Sequence, residues 1–242
     1  MMISKKKSSF KISCTSCALR FVCFPSSVSL LDLPQLDAII EKDQIVSVDN
    51  SIFLQNDKPI HIYAVRSGVV KSTIRIRDGI EQITNFYLTG DIIGIENVGA
   101  QTYYDSAYAV QKTSVCSISM ENLKFISKEL QGLHEYLLHL AAKQLQVNQK
   151  NMLLLNQMNA LERVAMFLLT LATRYKSKQL SDTQFYLPLS KADISNYLGI
   201  TAETFSRTLS FLKKNKIITV KGRLIKIIDK HYLYHILDTT IK

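Results

Sequence analysis

Four cysteines are the residues of this 242-residue chain whose type and spacing point most directly to chemistry. Cys14, Cys17 and Cys23 form a C-x2-C-x5-C run near the start, and the fourth, Cys116, follows 93 residues later. Four thiolates suit a 4Fe-4S cluster, because such clusters are held by cysteine sulfurs. Tetrathiolate zinc uses the same donors and is the competing expectation. C-x2-C alone is a weak signal, and Cys116 alone reads as a buried core thiol. Taken together, three close ligands and one distant one would tie a flexible arm to a remote part of the fold. Lys5, Lys6 and Lys7 precede a stretch cut by Lys11 and Arg20, so no signal peptide is legible. The longest relevant apolar run, Val164 to Ala172, is far short of the roughly 20 residues of a membrane span. A cytoplasmic location is therefore expected, where structural disulfides are rare.

The five histidines, His61, His134, His139, His231 and His235, form no H-E-x-x-H pattern, and there is no P-loop. His231 and His235 share a helix face but lack a third ligand, so they read as surface residues. An enzyme is not expected.

A second group of chemically capable residues lies near the C-terminus. Ser190 can cap a helix over Lys191 to Leu198, Gly199-Ile200 supplies a tight turn, and Thr201 can cap a second helix, Ala202 to Lys214. That is a helix-turn-helix. Phe205, Leu209 and Leu212 would face inward, leaving Glu203, Ser206 and Arg207 on the exposed face. Arg can donate twice to guanine, Glu can accept from cytosine and Ser is adaptable, so these three are the candidate base readers. An ordinary solvated Glu203–Arg207 pair is the bland alternative. Ile217 to Val220, Lys221-Gly222-Arg223 and Leu224 to Ile228 read as a hairpin with a basic tip, a wing. Lys221 and Arg223, with Thr201 and Lys213, are the candidates for DNA phosphate contact.

The elements that must position these groups follow from patterning. Residues 1–140 hold 14 basic and 14 acidic side chains, whereas 141–242 hold 16 and 6, so the net charge of +10 is entirely C-terminal. A neutral half joined to a strongly basic one suggests a signal-receiving module joined to a polyanion binder. Between Ile45 and Ile118 short β-branched runs alternate with turn signals at Ser67-Gly68, Arg77-Asp78-Gly79 and Thr89-Gly90-Asp91. They predict an antiparallel β-roll, jelly-roll-like. From Leu133 to Asn159 the period is helical. Leu137, Ala141, Leu145, Asn148, Met152 and Leu155 fall on one seam, which predicts pairing of two copies of this helix. The alternative is that this stripe packs on its own barrel. A second helix is expected over Leu161 to Tyr175, followed by a polar connector. The expected class is α+β, with a cysteine-rich arm over 1–30, a β-roll over 31–128, a dimerisation helix over 129–160 and a winged helix-turn-helix over 161–242.

This order of parts, with Gly199-Ile-Thr-Ala-Glu203-Thr-Phe-Ser206-Arg207, resembles the CRP/FNR family of bacterial regulators over nearly the whole chain. The Glu-x-x-Ser-Arg form resembles the FNR branch, the fumarate and nitrate reduction regulators. The resemblance implies a homodimer on TTGAT-type inverted repeats and contacts between barrel loops, including the Arg77-Asp78-Gly79 hairpin, and RNA polymerase. It also implies a 4Fe-4S cluster on Cys14, Cys17, Cys23 and Cys116 that reports oxygen. One departure is Asn148: the FNR-type pattern carries an acidic residue there, and a neutral one predicts residual dimer in air. Cyclic nucleotide binding, the property of the CRP branch, is not expected. There is no Arg between Arg77 and Arg163, and Lys112 is the only cation from Ile80 to Asn122.

Overall fold

The computed structural model describes residues 13–76 and 79–238. Packing divides the chain into two units, Met1–Gln146 and Val147–Lys242, with the boundary inside a continuous helix. Arg77 and Asp78 of the second expected hairpin lie outside the described residues.

The first unit is built on two four-stranded antiparallel sheets. One has the order β1 (Glu41–Val46), β8 (Thr113–Ser119), β3 (His61–Ser67), β6 (Ile92–Ile93). The other has β2 (Ser51–Phe53), β7 (Ser106–Ala109), β4 (Val69–Arg75), β5 (Glu81–Leu88). The roll interior is filled by Val46, Ile52, Phe53, Tyr63, Val65, Val70, Val115 and their neighbours. Phe53 stacks on Tyr103 with ring centroids 3.9 Å apart, so aromatic rings occupy the middle of this core.

Strand β3 is buried on both faces, and that explains the rest of the unit. Side chains alternate across a strand. Tyr63 and Val65 enter the roll interior, while Ile62 and Ala64 join a second core outside it. Strand β8 repeats the division, with Val115 inside and Cys116 and Ile118 outside. The outer core is covered by α1 (Leu33–Ile39), α2 (Met120–Glu129), the first turns of α3 (Gln131–Gln157), and the arm residues Cys14 and Phe24. Phe24 is fully buried. The residues expected to form a separate arm thus contribute to the core of this unit.

Helix α3 starts two residues before the expected Leu133 and takes in Gly132. Along its seam Leu137 packs against the outer core, whereas Ala141, Leu145, Asn148 and Met152 are exposed. Leu145 and Met152 keep 66% and 67% of their surface. The stripe therefore divides: its first member is used by the barrel, as the alternative reading had it, and the next four face outward. The side chain of Leu155 lies outside the described residues.

In the second unit α4 (Ala160–Ser177) opens with a capping box, Asn159 accepting from the Glu162 N–H while the Glu162 carboxylate accepts from the Asn159 N–H. It packs against α6 (Ala202–Lys214) and α7 (Lys230–Asp238). A three-stranded sheet has the order β10 (Ile218–Lys221), β11 (Leu224–Ile227), β9 (Gln184–Tyr186). Among the described residues no helix is long and apolar enough to cross a membrane.

Candidate cysteine site and nucleic-acid interface

The four cysteines line a single recess, together with Leu19, Arg20, Phe24, Pro25, Ile40, Ala64, Val65 and Arg66. Local structure delivers each one. Ser13 caps the short 3-10 turn Cys14–Ser16, and Cys17 follows it with its N–H donating to the Cys14 carbonyl. Cys23 precedes a second 3-10 turn, Phe24–Ser27, which has Pro25 near its start. Cys116 sits opposite Ala64 on β8, on the face turned away from the roll interior. Spacing in the sequence suggested a shared role; the alternation of β8 is what aims the distant thiol at the arm.

None of the four is in a disulfide. Burial, followed by a hydrogen bond to Asp37, pushes the Cys14 thiol far above its ordinary value. Burial likewise raises Cys116 to about 11, against the opposing influence of Arg66 and Lys42. Both groups are therefore neutral thiols at neutral pH, and any metal they ligate must displace their protons. Among the described residues no three His, Cys, Asp or Glu side chains stand close enough together to hold one metal ion.

Asp37 is a positioning residue that sequence reasoning missed. Its carboxylate accepts from the Cys14 N–H at 2.6 Å and the Ser13 hydroxyl at 3.2 Å, and it pairs with Lys42 at 2.7 Å. Burial alone would raise its pKa, but the bonds from Lys42 and Cys14 outweigh that and hold it at about 2. Arg66 pairs with Asp43 beside the same recess. No local pattern marks Asp37, since its partners are 23 or more residues away or lie across a turn.

The helix-turn-helix is formed by α5 (Lys191–Leu198) and α6, within the limits the sequence suggested. Ser190 caps α5 by accepting from the Asp193 N–H, and Thr201 caps α6 by accepting from the Thr204 N–H. Gly199 closes α5 at φ +62°, the left-handed conformation that glycine adopts without penalty. Ile194 and Leu198 are buried, with Ser195 beside them, its hydroxyl donating to the Lys191 carbonyl. Arg163 of α4 was also missed. It donates to the carbonyls of Leu198 and Gly199 at 2.9 and 3.2 Å and so ties the helix-turn-helix corner to α4.

Phe205, Leu209 and Leu212 are buried, leaving Glu203 and Arg207 exposed and Ser206 half-buried on the outer side of α6. Arg207 pairs with Glu203 one turn back, the two side chains keeping 78% and 71% of their surface. A pair this exposed adds little stability. It is the solvated pair of the bland alternative, and it leaves the guanidinium at the surface. Lys213 and Lys221 are exposed at the end of α6 and at the wing tip. Arg223 also has an internal partner, its Nε and an Nη both donating to the Leu187 carbonyl at 3.0 and 2.7 Å. It pins the wing to the segment after β9.

Two predictions follow from these contacts. Asp37→Ala should loosen the arm, read as faster amide hydrogen exchange over residues 13–27. In wild type the same loosening should set in as pH falls from about 4 towards 2, because a depressed carboxylate pKa stabilises only above that range. Arg163→Ala should lower the unfolding free energy of the second unit by about 1–3 kcal/mol in denaturant titrations, since two carbonyls lose a charged donor.

The comparisons with known proteins fit this geometry. A Crp-like helix-turn-helix domain matches residues 162–236, and a cyclic nucleotide-binding domain matches 46–129. The chain is 36% identical over 222 residues to Electron transport regulator A of Shewanella oneidensis, covering 92% of this chain and 89% of that protein. It is 34% identical to the fumarate and nitrate reduction regulatory protein of Vibrio cholerae, covering 94% of each. The solved structure of FixK2 from Bradyrhizobium japonicum superposes with a TM-score of 0.74 at 31% identity, covering 80% of this chain and 96% of that one. With its α+β architecture and its C-terminal helix-turn-helix, the chain belongs to the CRP/FNR family of DNA-binding transcription regulators and is not an enzyme.

Proposed function

We propose that the protein is a cytoplasmic, oxygen-sensing regulator of the FNR type, which binds TTGAT-type inverted repeats as a homodimer and carries a 4Fe-4S cluster on Cys14, Cys17, Cys23 and Cys116. The observation that carries this reading is that four thiols, three from the arm and one from β8, line one recess. Tetrathiolate zinc would use the same four donors, and analysis of the bound metal separates the two. Such a cluster, when bound, supplies an oxygen-labile link between arm and roll. Asp37 holds the backbone of Cys14, Lys42 and Arg66 offset thiolate charge, and Phe24 and Leu19 help to exclude water.

The relatives' own names support regulation of fumarate and nitrate reduction or of electron transport. A cyclic nucleotide is not assigned, despite the domain match. The roll interior is packed with Phe53, Tyr63 and Tyr103, and no arginine lies between residues 80 and 122 to bind a cyclic phosphate. Glu203, Ser206 and Arg207 read bases, while Thr201, Lys213 and Lys221 contact phosphates and Arg223 chiefly holds the wing. The apolar face of Ala141, Leu145 and Met152 meets its counterpart in a second copy, with Asn148 between them. Loops of the roll contact RNA polymerase, by analogy with the family.

Isolation without oxygen tests the cofactor. A brown protein with about equal iron and sulfide that bleaches in air is expected; a colourless protein containing zinc would overturn the reading. On DNA, Arg207→Ala should cost about 1–3 kcal/mol and relax preference at one guanine, whereas Lys221→Ala should weaken all sequences alike and reduce the salt slope by about 1. Identical behaviour of the two variants would contradict the division into reader and positioner. Because Asn148 adds no like-charge repulsion to the seam, the cluster-free protein should retain measurable dimer in sedimentation; monomer alone would count against this role for Asn148.

A further inference from the structure

Helix α3 has a glycine as its second residue. The surroundings of Gly132 explain it. A Cβ at this position would overlap the carbonyl oxygen of Ser27, so that carbonyl occupies the space a side chain would need. Ser27 is the last residue of the Phe24–Ser27 turn. One helical turn further on, Tyr136 lies on the same face as Gly132. It is half-buried against the outer core, with Cys23 and Ser26 close to its ring.

The turn in its own right hangs from the third cysteine of the arm. The N–H and hydroxyl of Ser26 both donate to the Cys23 carbonyl, at 2.9 and 2.7 Å, and the Ser27 hydroxyl donates to the Phe24 carbonyl at 2.6 Å. Phe24 and Pro25, which begin the turn, are buried and anchor it in the outer core. A displacement of Cys23 therefore moves Ser26 and Ser27 with it, against the first two turns of α3.

We propose that Gly132 and Tyr136 are the positioning residues through which the state of the cysteine recess acts on helix α3, the turn after Cys23 seating in the notch that the glycine leaves. This inference rests on the proposed function and assigns its regulation to two residues outside the ligand set. Coupling of this kind is reciprocal. A change on α3 that unseats the turn must weaken the hold of the recess on its cluster, and a change in the recess must alter how α3 is presented to a partner.

The test compares wild type, Gly132→Ala and Tyr136→Phe, all full-length and isolated without oxygen. Iron and sulfide content, dimer dissociation constant by sedimentation, and the rate of bleaching of visible absorbance in air are read for each. Gly132→Ala should raise the dissociation constant about 5-fold or more, the low end of ordinary inter-site coupling, and should speed bleaching although no thiol has changed. Tyr136→Phe, which removes the hydroxyl neighbouring Ser26, should shift both in the same direction by about 3-fold. If Gly132→Ala aggregates, Tyr136→Phe and Tyr136→Leu carry the test, with the larger effect expected for leucine. Wild type without iron and sulfide would overturn the functional reading and this inference with it. Wild type carrying both, with variants that match it in dissociation constant and bleaching rate, would overturn this inference alone.

Discussion

Strands β3 and β8 bury both of their faces, and most of the first unit follows from that constraint. A sheet that faces the roll interior on one side normally shows polar residues to water on the other. Here Ile62, Ala64, Cys116 and Ile118 make the second side apolar, and it needs a cover. Helices α1 and α2, the start of α3 and the cysteine arm together provide it. The recess of four thiols is thus not grafted onto a finished barrel. It lies within the packing that completes the barrel, and Cys14 and Phe24 are core residues as well as neighbours of the site.

Placing thiols in such a core sets their electrostatics. Burial penalises the thiolate, so the metal-free pocket holds neutral groups, as the raised values of Cys14 and Cys116 express. The surrounding charges work the other way. Lys42 and Arg66 lower Cys116 and are themselves anchored by Asp37 and Asp43. Cations fixed by carboxylates, beside thiols that must lose protons to act as ligands, make the charged state affordable only when a metal group is there to share the negative charge.

How much of this was legible in the sequence depended on how local the determining interactions are. The helix-turn-helix was readable nearly to the residue, because its caps at Ser190 and Thr201, its glycine turn and its inward triplet all act within a few residues of one another. The four cysteines were readable as a set through spacing, but their meeting place was not, since it depends on which way β8 turns Cys116. Arg163, Asp37 and Gly132 were invisible for the same reason: their partners are 35, 23 and 105 residues away in the chain. The second task of Arg223 was hidden too, because its bond to the Leu187 carbonyl joins residues 36 apart. The apolar stripe of α3 was found by period, yet period could not tell that Leu137 belongs to the barrel while Leu145 and Met152 stay exposed.

That division of α3 bears on how one helix can serve two tasks. Gly132 and Tyr136 meet the arm, Leu137 meets the roll, and one turn later the exposed face begins with Ala141 and Leu145. Because the backbone is a continuous hydrogen-bonded helix from Gln131 to Gln157, its first turns cannot rotate independently of those that follow. A flexible linker at this point would let the arm move without consequence for the seam. A helix whose second residue is fitted around the Ser27 carbonyl ties the arm to the exposed face instead.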